Sequence, residues 1–66
     1  MKEKYGVSYE PTAGPDIWEG WFDSLEEAFN YAVNRHLLWC RHWKKALYIT
    51  RKSTGAQCFL VPRAQA

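Results

Sequence analysis

Residues 23–40 read DSLEEAFNYAVNRHLLWC, and this stretch decides the fold. Asp23 or Ser24 can cap the free backbone amides of a new helix, and two glutamates follow in its first turn, where negative charge is favoured. Ser24 and Glu27 also have the spacing of a capping box. The sequence therefore predicts a helix that begins at Asp23 or Ser24.

Apolar or small residues recur along this helix at steps of three and four, the period of a helix packed on one side. The stripe consists of Leu25, Ala28, Phe29, Ala32, Val33, His36, Leu37 and Cys40. Leu38 falls opposite the stripe, so it is exposed unless the helix bends or ends near it. Residues 41–45 contain no helix breaker, so the sequence does not define where the helix ends.

Two pairs of strands flank the helix. Alternating residues predict strands at 4–10 and 17–22, joined by a loop with two prolines, and at 46–51 and 56–61, joined by a turn with Gly55. Gly20 indicates a bulge or a close backbone approach. Phe59 and Val61 are expected to share one face of the last strand.

The order ββαββ predicts an α+β fold, in which one helix packs on a small antiparallel or mixed four-stranded sheet. We expect a single domain over 1–66, with 63–66 as a frayed tail. The expected core consists of Phe29, Val33, Leu37, Leu47 and Ile49. If so, Phe29→Asp should unfold the domain.

Charge is distributed unevenly along the chain. Residues 1–27 contain all seven acidic residues and two lysines, whereas residues 28–66 contain seven basic residues and no acidic one. The net charges are therefore −5 and +7, which add to the overall +2. Two interpretations stay open: the halves pair with each other in the fold, or a basic face is directed at an acidic partner.

Several function classes are disfavoured. The chain carries no nucleophile motif or glycine-rich phosphate loop, so no enzymatic activity and no cofactor are expected. His36, Cys40, His42 and Cys58 lack the paired spacing of a zinc site, so no metal is expected either. The chain has no membrane-length apolar run and no secretory signal pattern, which favours a cytoplasmic protein with two free thiols.

Aromatic and basic residues alternate from the second half of the helix into the third strand, a pattern typical of surfaces that bind acidic proteins or nucleic acids. The candidate binding residues are Arg35, Leu38, Trp39, Arg41, Trp43, Lys44, Lys45, Arg51 and Lys52. We expect a small non-enzymatic binding protein that docks on an acidic surface of a host protein. Direct binding of DNA or RNA through the same face is the alternative, and the sequence leaves the oligomeric state open.

Residues 4–10, the helix start within 21–32 and the later strand residues Ile49, Thr50 and Arg51 resemble small phage-encoded inhibitors of bacterial RNA polymerase. The resemblance implies a helix on a small sheet and a strand arginine, here Arg51, that engages an acidic region of the polymerase. It runs loosely over residues 4–51. Ser53 stands where a second arginine of that family would fall. A phage or prophage inhibitor of a host nucleic-acid machine is therefore expected.

Overall fold

The computed structural model describes residues 2–64 and has the predicted element order. Strands β1 (Tyr5–Tyr9) and β2 (Ile17–Phe22) precede the helical segment, and strands β3 (Leu47–Arg51) and β4 (Gln57–Val61) follow it. The sheet order is β2-β1-β3-β4, and every neighbouring pair is antiparallel. The helix lies on one face of this sheet, which confirms the α+β fold and resolves the sheet as antiparallel.

The helix begins as the capping signal predicts. Ser24 is the N-cap, and its hydroxyl accepts a hydrogen bond from the backbone N–H of Glu27 at 3.1 Å. Helix α1 (Leu25–Ala32) continues through a π-helical turn (Val33–Leu37) into α2 (Leu38–Trp43). A single continuous helix therefore connects the two hairpins.

The helix ends at Lys44, which has left-handed backbone angles of φ 56° and ψ 44°. The Lys45 N–H donates to the Cys40 carbonyl at 2.8 Å, and the Lys44 N–H reaches the Arg41 carbonyl at 3.4 Å. This is the Schellman arrangement, in which glycine usually occupies the left-handed position. A side chain at Lys44 therefore carries backbone strain that glycine would avoid.

We expect Lys44→Gly to raise the free energy of unfolding by about 1 kcal/mol, because glycine adopts this backbone conformation without strain. In a domain of this size that corresponds to about 4–8 °C in melting temperature. The measurement is thermal unfolding followed by circular dichroism. Lys44→Ala is the matched control, since it removes the same charge but keeps the strain. Equal melting temperatures for the two variants would contradict the strain argument.

The core lies between the helix and the sheet. Its buried members are Val7, Ala28, Ala32, Cys40, Leu47, Ile49 and Val61. Leu47 and Ile49 confirm the prediction, and Leu37 packs against this cluster while half-buried. The described residues include no helix long and apolar enough to cross a membrane.

The prediction that Phe29 belongs to the core is wrong, because this residue is 45% exposed. The small residues Ala28 and Ala32 face the sheet and are fully buried, so the centre of the buried stripe passes beside Phe29. The π-helical turn then adds a residue before Cys40 returns to the core. Because Phe29 is partly exposed, Phe29→Asp is not expected to unfold the domain.

The prediction that Phe59 and Val61 share one face of β4 is also wrong. The register shifts between Leu47 and Tyr48, so Val61 pairs with Leu47 on the helix side while Phe59 pairs with Tyr48 on the other side. Phe59 and Val61 therefore do not share a face. The shift is a bulge, which strict alternation along the sequence does not reveal.

The predicted tail at residues 63–66 lies partly outside the described residues, since the structure covers Arg63 and Ala64 but not 65–66. Arg63 is held in place by carboxylates. Its guanidinium lies 3.0 Å from Asp16 and 3.7 Å from Glu10. The end of the described chain is therefore tied to the loop between β1 and β2.

Candidate partner-binding surface

One flank of the helix brings four of the candidate residues together. We call it the basic helix flank: Arg35, Trp39, Trp43 and Lys45. The first three are four residues apart, so they follow one another along the same side of the helix. Arg35 and Trp39 line a hollow that includes Thr12, and Trp39, Trp43 and Lys45 line a second hollow that includes Thr12 as well. The flank therefore forms one continuous surface beside the loop between β1 and β2.

The cations at this end of the molecule are not neutralised by the acidic first half. Within residues 2–64, no carboxylate oxygen lies within 4 Å of the charged nitrogens of Arg35, Arg41, Lys44 or Lys45. Arg35 instead lies over the Tyr31 ring, with 5.3 Å between its Cζ and the ring centroid. These four positive charges are available to an anionic partner.

Aromatic packing attaches this flank to the sheet. Trp39 meets the Tyr9 ring edge-on at 6.2 Å between centroids, and Tyr9 stacks on His36 at 4.3 Å. The Nε2 atom of His36 lies 2.6 Å from a carboxylate oxygen of Glu19, the residue at the bulge in β2. The bulge confirms the prediction made from Gly20. The contact between His36 and Glu19 joins the π-helical turn to this bulge and so holds the flank in a defined orientation.

The flank presents apolar surface as well as charge. Trp43 is 58% exposed, and its ring packs edge-on against His42 at 4.8 Å. Leu38 is 80% exposed, which confirms that the helix continues past it with this side chain in solvent. Exposed apolar side chains that lie together mark interaction sites, and aromatic residues and arginine are enriched in protein interfaces.

The other candidate residues lie elsewhere. Arg41 and Lys44 line a separate hollow with Leu60, Val61 and Pro62, on the β4 side of the helix C-terminus. Arg51 and Lys52 lie at the opposite end of β3 from Lys45, and the strand is about 13 Å long from Leu47 to Arg51 at 3.3 Å per residue. Apart from Leu38, the predicted residues therefore form three groups rather than one face.

Arg51, the residue that the polymerase-inhibitor resemblance selects, has an acidic neighbour. Its Nε lies 3.7 Å from an oxygen of Glu3, and its Cζ lies 5.9 Å from the centroid of the Tyr5 ring. Glu3 also accepts hydrogen bonds from the hydroxyl of Ser53 at 2.6 Å and from its backbone N–H at 3.1 Å. These contacts lower the pKa of Glu3, with the Ser53 hydroxyl as the main cause.

Sequence reasoning missed a second aromatic surface on the side of the sheet away from the helix. We call it the open sheet face: Gly6, Ser8, Trp18, Trp21, Tyr48, Thr50, Gln57 and Phe59, as the strand pairing places them. Trp18 and Trp21 meet edge-on at 4.6 Å, and Tyr48 and Phe59 lie 4.9 Å apart. The available signal was a glycine, Gly6, in a strand next to a tryptophan-rich one.

Asp16 anchors one rim of the open sheet face. It accepts hydrogen bonds from the Tyr48 hydroxyl at 2.7 Å and from Arg63 at 3.0 Å. The Tyr48 hydroxyl and then Arg63 lower the pKa of Asp16 below its ordinary value of 3.8. Burial is the main cause that raises the pKa of Tyr48, followed by Asp16 itself.

A depressed carboxyl pKa stabilises the fold above the unfolded-state pKa, and this contribution is lost as pH falls through the folded-state pKa. We therefore expect wild-type stability to decline as pH falls below the ordinary aspartate pKa of 3.8, where the unfolded chain takes up the proton first, and to keep declining until pH passes the lower folded-state pKa of Asp16. Tyr48→Phe should reduce this decline, since it removes the largest cause of the shift. Urea unfolding at a series of pH values gives the difference between the two proteins. A wild-type decline no steeper than that of Tyr48→Phe would contradict this role of Asp16.

The two thiols are free, as predicted. Cys40 is buried in the core and Cys58 is exposed. Burial raises the pKa of the Cys40 thiol, so it behaves as a small apolar side chain. Among residues 2–64, no group of three or more His, Cys, Asp or Glu side chains is arranged to hold a metal ion.

Comparisons with protein-family models, with curated proteins and with solved structures found no match for this chain.

Proposed function

We propose that this chain is a small non-enzymatic binding protein that docks its basic helix flank on an acidic surface of a partner protein. The observation that carries the proposal is the continuous flank of Arg35, Trp39, Trp43 and Lys45, in which the cations have no carboxylate partner within residues 2–64. Tryptophan and arginine anchor interfaces more often than other residues, because they combine large apolar area with directed polar groups.

Electrostatics gives this surface its selectivity. The cationic side chains attract an acidic partner over about one Debye length and accelerate its association, while the indole rings supply the apolar contact. Neighbouring Arg41 and Lys44 add two charges at the same helix end. Binding should therefore weaken as salt concentration rises.

In its finer form, the proposal is that the partner belongs to a host nucleic-acid machine, with RNA polymerase as one candidate, and that the chain acts in the cytoplasm as a phage or prophage inhibitor. The support for this form is the sequence resemblance and the exposed position of Arg51. A loosely spaced, exposed ion pair such as Arg51–Glu3 contributes little stability, so an acidic partner could replace Glu3. A small domain of this kind would inhibit by occluding its partner's surface.

Direct binding of nucleic acid through the same flank is the second candidate. It is favoured by the exposed Trp43 ring beside unpaired cations, since bases stack on aromatic rings while cations neutralise phosphates. Both candidates are electrostatic, so salt dependence does not separate them.

Affinity capture from a bacterial lysate, with and without nuclease, separates the two candidates. If the partner is a protein, mass spectrometry should identify the same enriched protein in both samples. If the chain binds nucleic acid, the captured proteins should disappear after nuclease treatment. Capture of no protein above background in either sample would overturn the proposal of a protein partner.

A further inference from the structure

We propose that the open sheet face is a second binding site, which stacks the bases of single-stranded nucleic acid on Trp18 and Trp21. This site lies on the opposite side of the sheet from the helix and does not depend on the basic helix flank. The inference is therefore independent of the function proposed above.

The geometry of the two indoles is the first argument. The six-membered ring of Trp18 lies against Gly6, so closely that a Cβ on Gly6 would come within 2.0 Å of the Trp18 Cη2 atom. Trp18 and Trp21 nevertheless stay 46% and 43% exposed, and Phe59 is 41% exposed on the same face. A four-stranded sheet with exposed aromatic rings is a surface on which two or three unpaired bases can stack.

The charge around the rings is the second argument. Lys52 lies over Trp21, with its Nζ 5.2 Å from the ring centroid. Beside it, Lys2, Lys4 and Lys52 surround an open hollow of about 690 Å³ that Glu3 and Ser53 also line. With Arg51 and Asp23 included, this end of the face has four cations against two carboxylates. Phosphates of a strand stacked on Trp21 would meet this positive charge.

The remainder of the open sheet face suits a base rather than a cation. None of its eight residues is acidic, and Thr50 and Gln57 offer hydrogen-bonding groups in the same row of the sheet as Trp21. Glu10 and Asp16 lie at the far rim, where Arg63 pairs with both. An incoming phosphate therefore meets no unpaired carboxylate at the centre of the face.

The exposed area argues against a second copy of the chain as the occupant. Three aromatic side chains of 150–250 Å² each, a little over two-fifths exposed, offer roughly 200–300 Å² of apolar surface. A stable protein interface needs about 800 Å² from each partner. This patch fits a few stacked bases better than a sheet-on-sheet dimer.

The site can be tested by fluorescence anisotropy with labelled twelve-nucleotide oligo(dT) and oligo(rU). The measurement is made at about 50 mM salt, where phosphate contacts are strong. Saturable binding to either strand is expected, with a preference over a duplex of the same length. Trp18→Ala and Trp21→Ala should each weaken binding about fivefold or more, since one stacked base is lost. The matched control is Phe29→Ala, which removes an exposed aromatic ring of α1 that lies in neither proposed surface and should leave affinity unchanged.

If a tryptophan variant fails to fold, two further measurements test the site. One is the affinity of Lys52→Gln, and the other is the set of indole N–H signals in NMR spectra of the wild-type protein. Lys52→Gln should reduce the slope of log affinity against log salt by about 0.7. The Trp18 and Trp21 signals should shift on titration with oligo(dT) or oligo(rU), and unchanged signals from both would contradict the site. The proposal is overturned by undetectable binding, by equal affinity for duplex, by an equal loss in Phe29→Ala, or by a concentration-dependent dimer that Trp18→Ala abolishes.

Discussion

Replacing Leu47 with alanine is expected to lower the free energy of unfolding by about 3 kcal/mol, because the side chain is fully buried and the cavity it leaves adds to the lost transfer energy. A domain of 66 residues has a total stability of roughly 3–10 kcal/mol. The variant should therefore lose between about a third and all of the stability of the domain. Chemical denaturation followed by circular dichroism measures the loss.

Phe29→Ala is the matched control for this prediction, since it removes a larger side chain that the structure leaves 45% exposed. About half of its surface is already in water, so we expect a loss of about 1 kcal/mol. A helix rotated to bury Phe29 would reverse this order. A larger loss in Phe29→Ala than in Leu47→Ala would therefore contradict the helix register described here.

The second large effect is expected at Gly6. A methyl group there would overlap the Trp18 ring, since three of its ring atoms would lie 2.0, 2.6 and 2.9 Å from the methyl carbon. Gly6→Ala should therefore expel the indole and cost about 2–3 kcal/mol, the value of roughly 100 Å² of buried apolar surface. Strand propensity alone predicts the opposite sign, because glycine in a strand loses more chain entropy than alanine.

A double-mutant cycle separates these two effects. In a Trp18→Ala background the overlap is absent, so Gly6→Ala should become neutral or stabilise by about 0.5–1 kcal/mol. The expected coupling energy is therefore about 3 kcal/mol. Additive effects of the two substitutions would show that Trp18 does not lie against Gly6.

The sequence predicts the helix start and the strands well because their signals are local. The Ser24 hydroxyl needs only the N–H of Glu27, three residues on, and the alternation in β1 and β3 depends on adjacent residues. The turn at 52–55 is confirmed in the same way, with Gly55 at φ 74°. Each of these features can form before distant segments meet.

The features that sequence reasoning missed depend on contacts between distant segments. The π-helical turn is held where His36 meets Glu19, seventeen residues earlier. The register shift between Leu47 and Tyr48 places Phe59 on the open sheet face. No residue near Phe59 in the sequence indicates this shift. Periodicity places Phe29 in the apolar stripe of the helix but does not identify the centre of that stripe, which Ala28 and Ala32 occupy.

The candidate surface was predictable from the sequence only where its residues lie on the same helix. Arg35, Trp39 and Trp43 could be grouped because helical spacing alone places them on one side. Arg51 and Lys52 could not be separated from them without knowing that β3 runs away from the helix end. The open sheet face required the strand order, which brings β1 between β2 and β3.

The central claim is that the basic helix flank binds an acidic partner protein, and a comparison of two charge reversals tests it most directly. Arg35→Glu with Lys45→Glu reverses the flank, whereas Lys2→Glu with Lys52→Glu makes the same change in net charge at the far end of the sheet. The amount of partner captured from nuclease-treated lysate should fall at least tenfold more for the flank variant than for the other. Undiminished capture by the folded flank variant would contradict the claim.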